Sequence, residues 1–168
     1  MICPNCGYDN LPGDESCKHC AMDLTQLDRP MAQNRLERIL MEDHVSVLHP
    51  RSAVTTCPQA TVGQVLDKML RDNLGALLVT DTDGRLCGIF SERDLLTRVA
   101  GVHPCWEHIP VGDVMTRDPE TVSLTDTLAL ALQKMDVGGY RHLPVVENGK
   151  PVGVISVRDL MRHLTKFC

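Results

Sequence analysis

The stretch Gly88-Ile-Phe-Ser-Glu-Arg-Asp94 recurs 65 residues later as Gly153-Val-Ile-Ser-Val-Arg-Asp159, and this pair decides the fold. Each copy predicts an apolar strand that ends at a serine and runs directly into a helix. The serine can cap that helix, whose free N–H groups and positive dipole end attract phosphate. The aspartate can accept two ribose hydroxyls, and the arginine before it can bind phosphate oxygens.

Both copies also fit the capping box, in which a serine and an acidic residue three positions later satisfy each other's backbone donors. This alternative is purely structural. It requires neither the arginines Arg93 and Arg158 nor the glycine three residues before each serine. Capping alone therefore does not account for the duplicated arginine and glycine.

The two stretches belong to a longer internal repeat. Residues 45–79 match 111–145 at nine of 35 positions, and 84–96 match 149–161 at six of 13 positions. The offset changes by one because the first hairpin turn is one residue longer than the second. Such a run of identities at a nearly constant offset indicates two copies of one structural unit.

Each copy predicts the same order of elements. A short strand near Thr55, or Thr121 in the second copy, leads to an amphipathic helix, and two strands follow around an Asp-Gly or Asn-Gly turn. The last helix begins at the serine. We therefore predict an α/β (α+β) fold of two β-α-β-β-α units, at 45–103 and 104–168, that pack sheet to sheet around one core.

These features resemble a cystathionine-β-synthase (CBS) domain pair, also called a Bateman module. The order of elements, the repeat length and the Gly-x-x-Ser-x-Arg-Asp ending carry the resemblance over residues 45–168. The motifs Val111-Gly-Asp-Val-Met-Thr116 and Tyr140-Arg-His-Leu-Pro-Val-Val146 are typical of the second domain. The resemblance implies binding of adenosine compounds (AMP, ADP, ATP, S-adenosylmethionine or NAD) in clefts between the repeats.

The resemblance also implies a role for individual residues. Asp94 and Asp159 would hold ribose hydroxyls, and Thr55 and Thr121 would lie beside the adenine. The residues assigned to the phosphate side are Ser91, Arg93, Ser156 and Arg158.

A basic pair, Arg141 and His142, precedes the second strand of the second copy, where the first copy has Leu74-Gly75-Ala76. Cationic donors at this position can bind phosphate. We therefore predict unequal clefts, with the stronger one at Asp159 using Arg141 and His142. Arg98 and His163 occupy matching positions in the last helices, and we predict that both face solvent.

Four of the eight cysteines form the pattern Cys3-x-x-Cys6 and Cys17-x-x-Cys20, the spacing of a four-thiolate metal site. Zinc is the usual ion; iron in a rubredoxin-like site and disulfides are the alternatives. Residues 1–28 resemble a short zinc ribbon, although Ala21 stands where a glycine usually follows the last cysteine. Residues 29–50, with Pro30 near their start, predict a helical connector.

The negative charge of the ribbon limits which kind of molecule it can bind. Residues 1–28 hold five acidic side chains, Asp28 among them, and one lysine, and a zinc ion bound by four thiolates adds further negative charge. This surface repels a phosphate backbone, so nucleic acid is not the expected partner. A closed four-cysteine shell also leaves no open position for catalysis.

The composition and the charge argue against membrane-spanning and secreted proteins. The net charge is −5, no apolar run approaches a membrane span, and the N-terminus does not resemble a signal peptide, so we predict a cytoplasmic protein. No catalytic constellation appears, so we predict no enzyme. The predicted function is an adenosine-nucleotide sensor, forming a homodimer and acting on an unidentified protein partner. The alternatives are a nucleic-acid-binding regulator gated by the CBS pair and an iron-containing redox protein.

Overall fold

A computed structural model describes residues 1–25, 32, 34–102 and 104–167. The chain divides into two compact units, Met1–Asn34 and Arg35–Cys168. The predicted ribbon boundary between residues 28 and 29, together with Asp28 and Pro30, lies outside the described residues.

The larger unit contains six helices and seven strands within its described residues. The helices are α1 (Arg35–Glu42), α2 (Val62–Arg71), α3 (Glu92–Asp94, continued by a π-helical turn over Leu95–Val99), α4 (Val111–Val114), α5 (Leu128–Gly138) and α6 (Val157–Leu164). The strands are β1 (Arg51–Ser52), β2 (Thr55–Thr56), β3 (Ala76–Thr80), β4 (Leu86–Ser91), β5 (Thr116–Arg117), β6 (His142–Glu147) and β7 (Lys150–Ser156). Short 3-10 turns cover Val45–Leu48, Trp106–His108 and Thr165–Phe167.

The strands form two sheets, ordered β2-β3-β4-β5 and β1-β7-β6. β5 begins the second repeat but pairs antiparallel with β4 of the first, and β1 precedes β2 of the first repeat but pairs antiparallel with β7 of the second. Each sheet therefore contains a strand that the sequence assigns to the other half. The predicted strand near Thr121 is reduced to one parallel bridge between Val122 and Val145. The chain turns directly after Val122, where the Ser123 N–H donates to the Asp126 carboxylate.

Close packing explains why glycine stands at positions 88 and 153 of the repeated stretch. Gly88 of β4 pairs with Arg117 of β5, and a Cβ built on Gly88 would collide with the Met115 side chain. A Cβ on Gly153 would lie 2.9 Å from the carbonyl oxygen of Arg51. Gly153 therefore lets the backbone of β1 approach β7 closely, and Gly88 leaves room for the Met115 side chain next to β5.

The long helices begin with caps at matching positions. Thr61 Oγ1 accepts from the Gln64 N–H at 3.3 Å while Gln64 Oε1 accepts from the Thr61 N–H, which is a full capping box. Thr127 Oγ1 accepts from the Leu130 N–H at 3.2 Å. α5 ends at Gly139 in the left-handed region, as a helix C-terminus prefers.

The predicted single core is wrong: the unit has two main clusters of buried side chains. One contains α2, β3 and β4 with the segment 111–115, and the other contains α5, β6 and β7 with Val45. A small third cluster of Ala76, Leu78 and Ile89, with Val154 against it, joins the sheets. The reason is that α2 packs on the sheet that contains β3 and β4, whereas α5 and α6 pack on the sheet that contains β6 and β7.

α1 lies within the predicted connector, and its residues Ile39 and Leu40 pack on the second core while Leu36 is exposed. Among the residues that the structure describes, no helix has both the length and the apolar character needed to cross a membrane.

Candidate functional site

The serine and aspartate of each repeated stretch bond to each other. Asp94 Oδ2 accepts from the Ser91 backbone N–H at 2.9 Å and from the Ser91 hydroxyl at 2.7 Å. In the second repeat, Asp159 Oδ2 accepts from the Ser156 N–H at 2.9 Å and from the Ser156 hydroxyl at 2.6 Å. Both stretches therefore form the capping interaction. Capping engages Oδ2 alone, which leaves the second carboxylate oxygen for other partners.

The first motif lines a cavity of about 410 Å³, which we name the Asp94 cleft. It opens where the end of β4 meets β5 and the start of β6, so it contains residues of both repeats. Its lining residues are Ile89, Ser91, Glu92, Arg93, Asp94, Thr97, Arg98, Thr116, Pro119, Glu120, Gly139, Tyr140, Arg141 and His142.

The second motif lines a cavity of about 510 Å³, which we name the Asp159 cleft. Both volumes lie in the range of about 300–1,000 Å³ that is usual for small-molecule sites. The residues lining the Asp159 cleft are Arg51, Ser52, Val54, Asn73, Leu74, Gly75, Ala76, Glu92, Arg141, His142, Val154, Ile155, Ser156, Val157, Arg158 and Asp159.

Glu92, Arg141 and His142 line both clefts. The sequence prediction assigned Arg141 and His142 to the Asp159 cleft, and the structure differs because the start of β6 lies between the two cavities. The basic pair therefore offers its charge to both clefts, and it does not by itself make them unequal. Glu92 was missed from the sequence because its position in the capped helix suggests only a dipole partner.

The imidazole of His142 occupies space that a missing side chain leaves open. A Cβ on Gly75 would lie 2.7 Å from His142 Nε2, so the glycine of the first repeat makes room for the histidine of the second. Burial lowers the pKa of His142 below its usual 6.5, and Arg141 and Arg158 act in the same direction, against the opposing carboxylates of Glu92 and Asp159. His142 is therefore held toward its neutral form.

Thr55 and Thr121 line neither cleft. The carbonyl of Thr55 accepts from Lys68 Nζ at 2.8 Å, and that of Thr121 accepts from Lys134 Nζ at 2.7 Å. Val54, the neighbour of Thr55, lines the Asp159 cleft in its place. The assignment of the two threonines to adenine stays a prediction.

Of the two residues predicted to face solvent, Arg98 is exposed but His163 is buried. The guanidinium of Arg98 nevertheless has protein partners, since it donates to the carbonyls of Val114 and Met115. His163 bonds Asp43 through Nε2 at 2.8 Å. The prediction for His163 is wrong because Asp43 lies far away in sequence, so helical position alone could not reveal it.

Arg93 also has a partner distant in sequence. Its Nη1 donates to the carbonyl of Gly139 at 2.8 Å, which links the helix after β4 to the end of α5. This contact holds the arginine across the mouth of the Asp94 cleft, where both residues are part of the lining.

The four N-terminal cysteines form one cluster, in which all four Sγ atoms lie within 4.8 Å of one another. The Cys3–Cys20 and Cys6–Cys17 sulfur pairs are each 3.6 Å apart. Four sulfurs about 2.3 Å from a tetrahedral ion are separated by roughly 3.8 Å, so the cluster fits such an ion.

Hydrogen-bond donors beside two of the four cysteines, Cys17 and Cys20, favour their thiolate forms. Asn5 Nδ2 lies 3.5 Å from Cys20 Sγ, and this hydrogen bond lowers the pKa of Cys20. Desolvation opposes ionisation of Cys17, but backbone N–H groups and the buried Asn10 amide bring the pKa of Cys17 down to about 6. Second-layer donors of this kind are typical of metal centres.

The two cysteine knuckles are built alike. The Gly7 N–H donates to the Cys3 carbonyl and the Ala21 N–H donates to the Cys17 carbonyl. Gly7 has φ 73° and Ala21 has φ 58°, so the alanine adopts the left-handed conformation that the expected glycine would favour.

Comparison with known proteins gives a consistent result. The CBS domain family matches residues 37–101 and 111–166. The CBS domain-containing protein CBSCBSPB1 of Arabidopsis thaliana is 40% identical over 117 residues, covering 69% of this chain and 21% of its own length. The chain spans about a fifth of the length of the first curated relatives it matches.

Solved structures agree. The CBS-domain containing protein ATU1752 of Agrobacterium tumefaciens is 33% identical with a TM-score of 0.67, covering 72% of this chain and 98% of its own. The CBS domain protein PAE2072 of Pyrobaculum aerophilum, solved in complex with AMP, is 31% identical with a TM-score of 0.65, covering 74% of this chain and 99% of its own. With the fold, the duplicated motif and these matches together, the chain belongs to the CBS domain family as a CBS domain pair.

Proposed function

We propose that the chain is a regulatory module that senses adenosine nucleotides such as AMP, ADP and ATP. The observation that carries the proposal is that each copy of the Ser-x-Arg-Asp motif lines a cavity containing that motif's aspartate and several cationic donors. A nucleotide has the complementary groups, a vicinal diol and a phosphate chain. The AMP complex of a related CBS protein supports the same ligand class.

The chemistry of the proposed site divides between two ends. At the ribose end, Asp159 accepts hydroxyl hydrogens, and Asp94 has the matching place in the other cleft. At the phosphate end, Arg158 and Arg141 supply cationic donors, as Arg93 does on the Asp94 side, and His142 supplies a ring N–H whose charge phosphate would favour. Ser91 and Ser156 hold the carboxylates in place through the capping bonds.

We assign residues 1–28 to a ribbon in which Cys3, Cys6, Cys17 and Cys20 hold a structural zinc ion. The ion would cross-link the two knuckles, whose only buried apolar partner in the described part of the ribbon is Leu24. Its acidic surface gives no support to nucleic-acid binding. A redox role with iron would use the same four sulfurs.

Regulation requires a surface that reports the ligand to another molecule. Exposed apolar side chains lie on the helices of the CBS pair: Leu70 is 80% exposed, Leu96 70% and Val137 81%. Exposed apolar side chains are available for contact with another molecule. We propose that the chain forms a homodimer in the cytoplasm and acts on a protein partner rather than catalysing a reaction.

Calorimetry with AMP and adenosine tests the proposal. AMP is expected to bind the full chain, and Arg141→Ala is expected to weaken AMP binding by roughly ten- to hundredfold, because it removes a charge-assisted phosphate contact. Adenosine affinity should change little, since adenosine has no phosphate. Lys150→Ala, at an exposed position outside both clefts, is the control for lost charge. Absence of AMP, ADP and ATP binding to the wild-type chain would contradict the proposal.

The lowered pKa of His142 makes AMP binding depend on pH. A phosphate dianion beside the imidazole favours its charged form, so binding should take up a proton and strengthen as pH falls from about 7.5 toward 6. In the free protein, the stability tied to neutral His142 is complete above 6.5 and is lost as pH falls through its lowered pKa.

Titrations in buffers of different ionisation enthalpy measure this uptake. The uptake should fall in His142→Gln by the share that His142 contributes, and it should be unchanged in His108→Gln, an exposed histidine outside both clefts. The ionisation of the AMP phosphate near pH 6 contributes to all three titrations and therefore cancels when their proton uptakes are compared. Equal proton uptake in wild type and His142→Gln would exclude His142 from the phosphate end.

A further inference from the structure

The two carboxylates of the repeated motif differ in what surrounds Oδ1. Asp94 Oδ1 accepts from the Thr116 hydroxyl at 2.8 Å and lies 3.6 Å from Arg98 Nε. Together with the two bonds from Ser91 to Oδ2, the Asp94 carboxylate accepts three hydrogen bonds for its roughly four acceptor positions, and Arg98 is an additional ionic neighbour. The Asp94 side chain is only 8% exposed.

Asp159 keeps its second oxygen available. Within the described residues its Oδ1 accepts no hydrogen bond and has one ionic neighbour, Arg162 Nη1 at 3.6 Å. Arg162 itself is 63% exposed and Asp159 21%, so this ion pair is screened by water and easily rearranged.

The backbone setting of the two carboxylates is alike, because β5 lies beside β4 as β1 lies beside β7. Thr116 pairs with Ile89, and the matching pair in the other sheet is Arg51 with Val154. The place of the threonine hydroxyl is therefore taken by an arginine, whose Nη1 donates to the Asn73 carbonyl at 3.3 Å.

The partner on the last helix differs as well. Arg98, which lies beside Asp94, corresponds to His163, which bonds Asp43 instead. The side chains beside the two carboxylates therefore differ on the neighbouring strand and on the last helix.

A ribose diol needs acceptor positions on the carboxylate that holds it. At Asp159 the diol finds Oδ1 open. At Asp94 it must first displace the Thr116 hydroxyl, which is itself a charge-assisted hydrogen bond. An exchange of one such bond for another gains little, so the Asp94 cleft should bind at least tenfold more weakly than the Asp159 cleft.

We propose that Thr116 closes the Asp94 cleft to ribose, so that the chain has one high-affinity nucleotide site, at Asp159. Arg98 acts with Thr116 by holding the Asp94 carboxylate in place. This inference rests on the proposed nucleotide-binding function and names the residue that makes the two clefts unequal, a role the sequence assigned to Arg141 and His142.

AMP calorimetry on an Asp159→Asn background tests the inference, because that background isolates the Asp94 cleft. Adding Thr116→Ala should raise AMP affinity about tenfold, since it frees Oδ1 and opens space beside it. Adding Thr116→Ser, which keeps the hydroxyl, should leave the affinity within about twofold of the background. Asp94→Asn added to the alanine variant should cancel the gain.

A reciprocal exchange does not depend on the stability of the Thr116 variants. Arg51→Thr places a hydroxyl at the matching position beside Asp159, and Arg51→Val has the same shape without the hydroxyl. Both lose the same arginine, so the threonine variant should bind AMP several-fold more weakly than the valine variant.

Two equal AMP sites in the wild-type chain, or no gain from Thr116→Ala, would overturn the inference while the proposed function stands. A wild-type chain that binds no AMP, ADP or ATP would defeat the proposed function, and the inference with it.

Discussion

Replacing Asp159 by asparagine is expected to reduce AMP affinity by about ten- to hundredfold. The carboxylate accepts ribose hydroxyls as charge-assisted hydrogen bonds, each worth about 1.5–3 kcal/mol, and an amide loses the charge and presents a donor in place of one acceptor. The effect should be as large for adenosine as for AMP, because the lost contact is to the ribose. Calorimetry with both ligands measures it.

The fold should tolerate this change. The asparagine side chain would still offer one oxygen to the Ser156 N–H, so the capping interaction weakens without disappearing. Asp136→Asn, at an exposed position of α5 outside both clefts, controls for the change in net charge. An Asp159→Asn protein that melts at a lower temperature but binds AMP like the wild type would show that Asp159 serves only as a cap.

Removal of the metal is expected to unfold the ribbon and leave the CBS pair intact. Within residues 1–25, which the structure describes, the buried apolar residues of the ribbon are Cys3, Cys17 and Leu24, a core too small to hold a fold without an ion. Structural zinc in such sites contributes about 10–16 kcal/mol of apparent binding free energy, which is also folding free energy. The CBS pair has its own two cores and should keep its melting temperature.

Metal analysis and calorimetric melting of the full chain check this expectation. One zinc per chain is expected, and Cys17→Ser should lose both the ion and the ribbon's transition, while Cys105→Ser, an exposed cysteine of the larger unit, should lose neither. Iron would give coloured protein and would support the redox alternative. Protein purified without chelators that holds no metal would show that the four cysteines are not a metal centre.

The sequence predicted the parts of the fold that depend on local pattern. The repeat, the hairpins and the helix beginning at each serine follow from periodicity, turn residues and caps, which act over a few positions. The strand exchange was not predicted, because the short strands Arg51–Ser52 and Thr116–Arg117 carry no pairing signal of their own. The prediction of one shared core failed for the same reason, since core membership follows from which sheet each strand joins.

The candidate site was predictable in its residues more than in its electrostatics. The Ser-x-Arg-Asp motifs do line the two cavities. The bond from Thr116 to Asp94, however, spans 22 positions and exists only because β5 lies beside β4. A threonine after Val-Met has many possible roles, and only the three-dimensional pairing selects this one.

The exchange of β1 and β5 separates the unit of duplication from the unit of folding. A fragment cut at the sequence boundary of the repeats would lack one strand of its sheet, and residues 111–115, which fill the first core, would be lost with it. A single copy on its own would therefore have to complete its sheet with the leading segment of a second molecule. In the present chain the two halves are covalently linked, so the missing strand of each sheet is always at hand and does not depend on protein concentration. Neither half is expected to fold without the other.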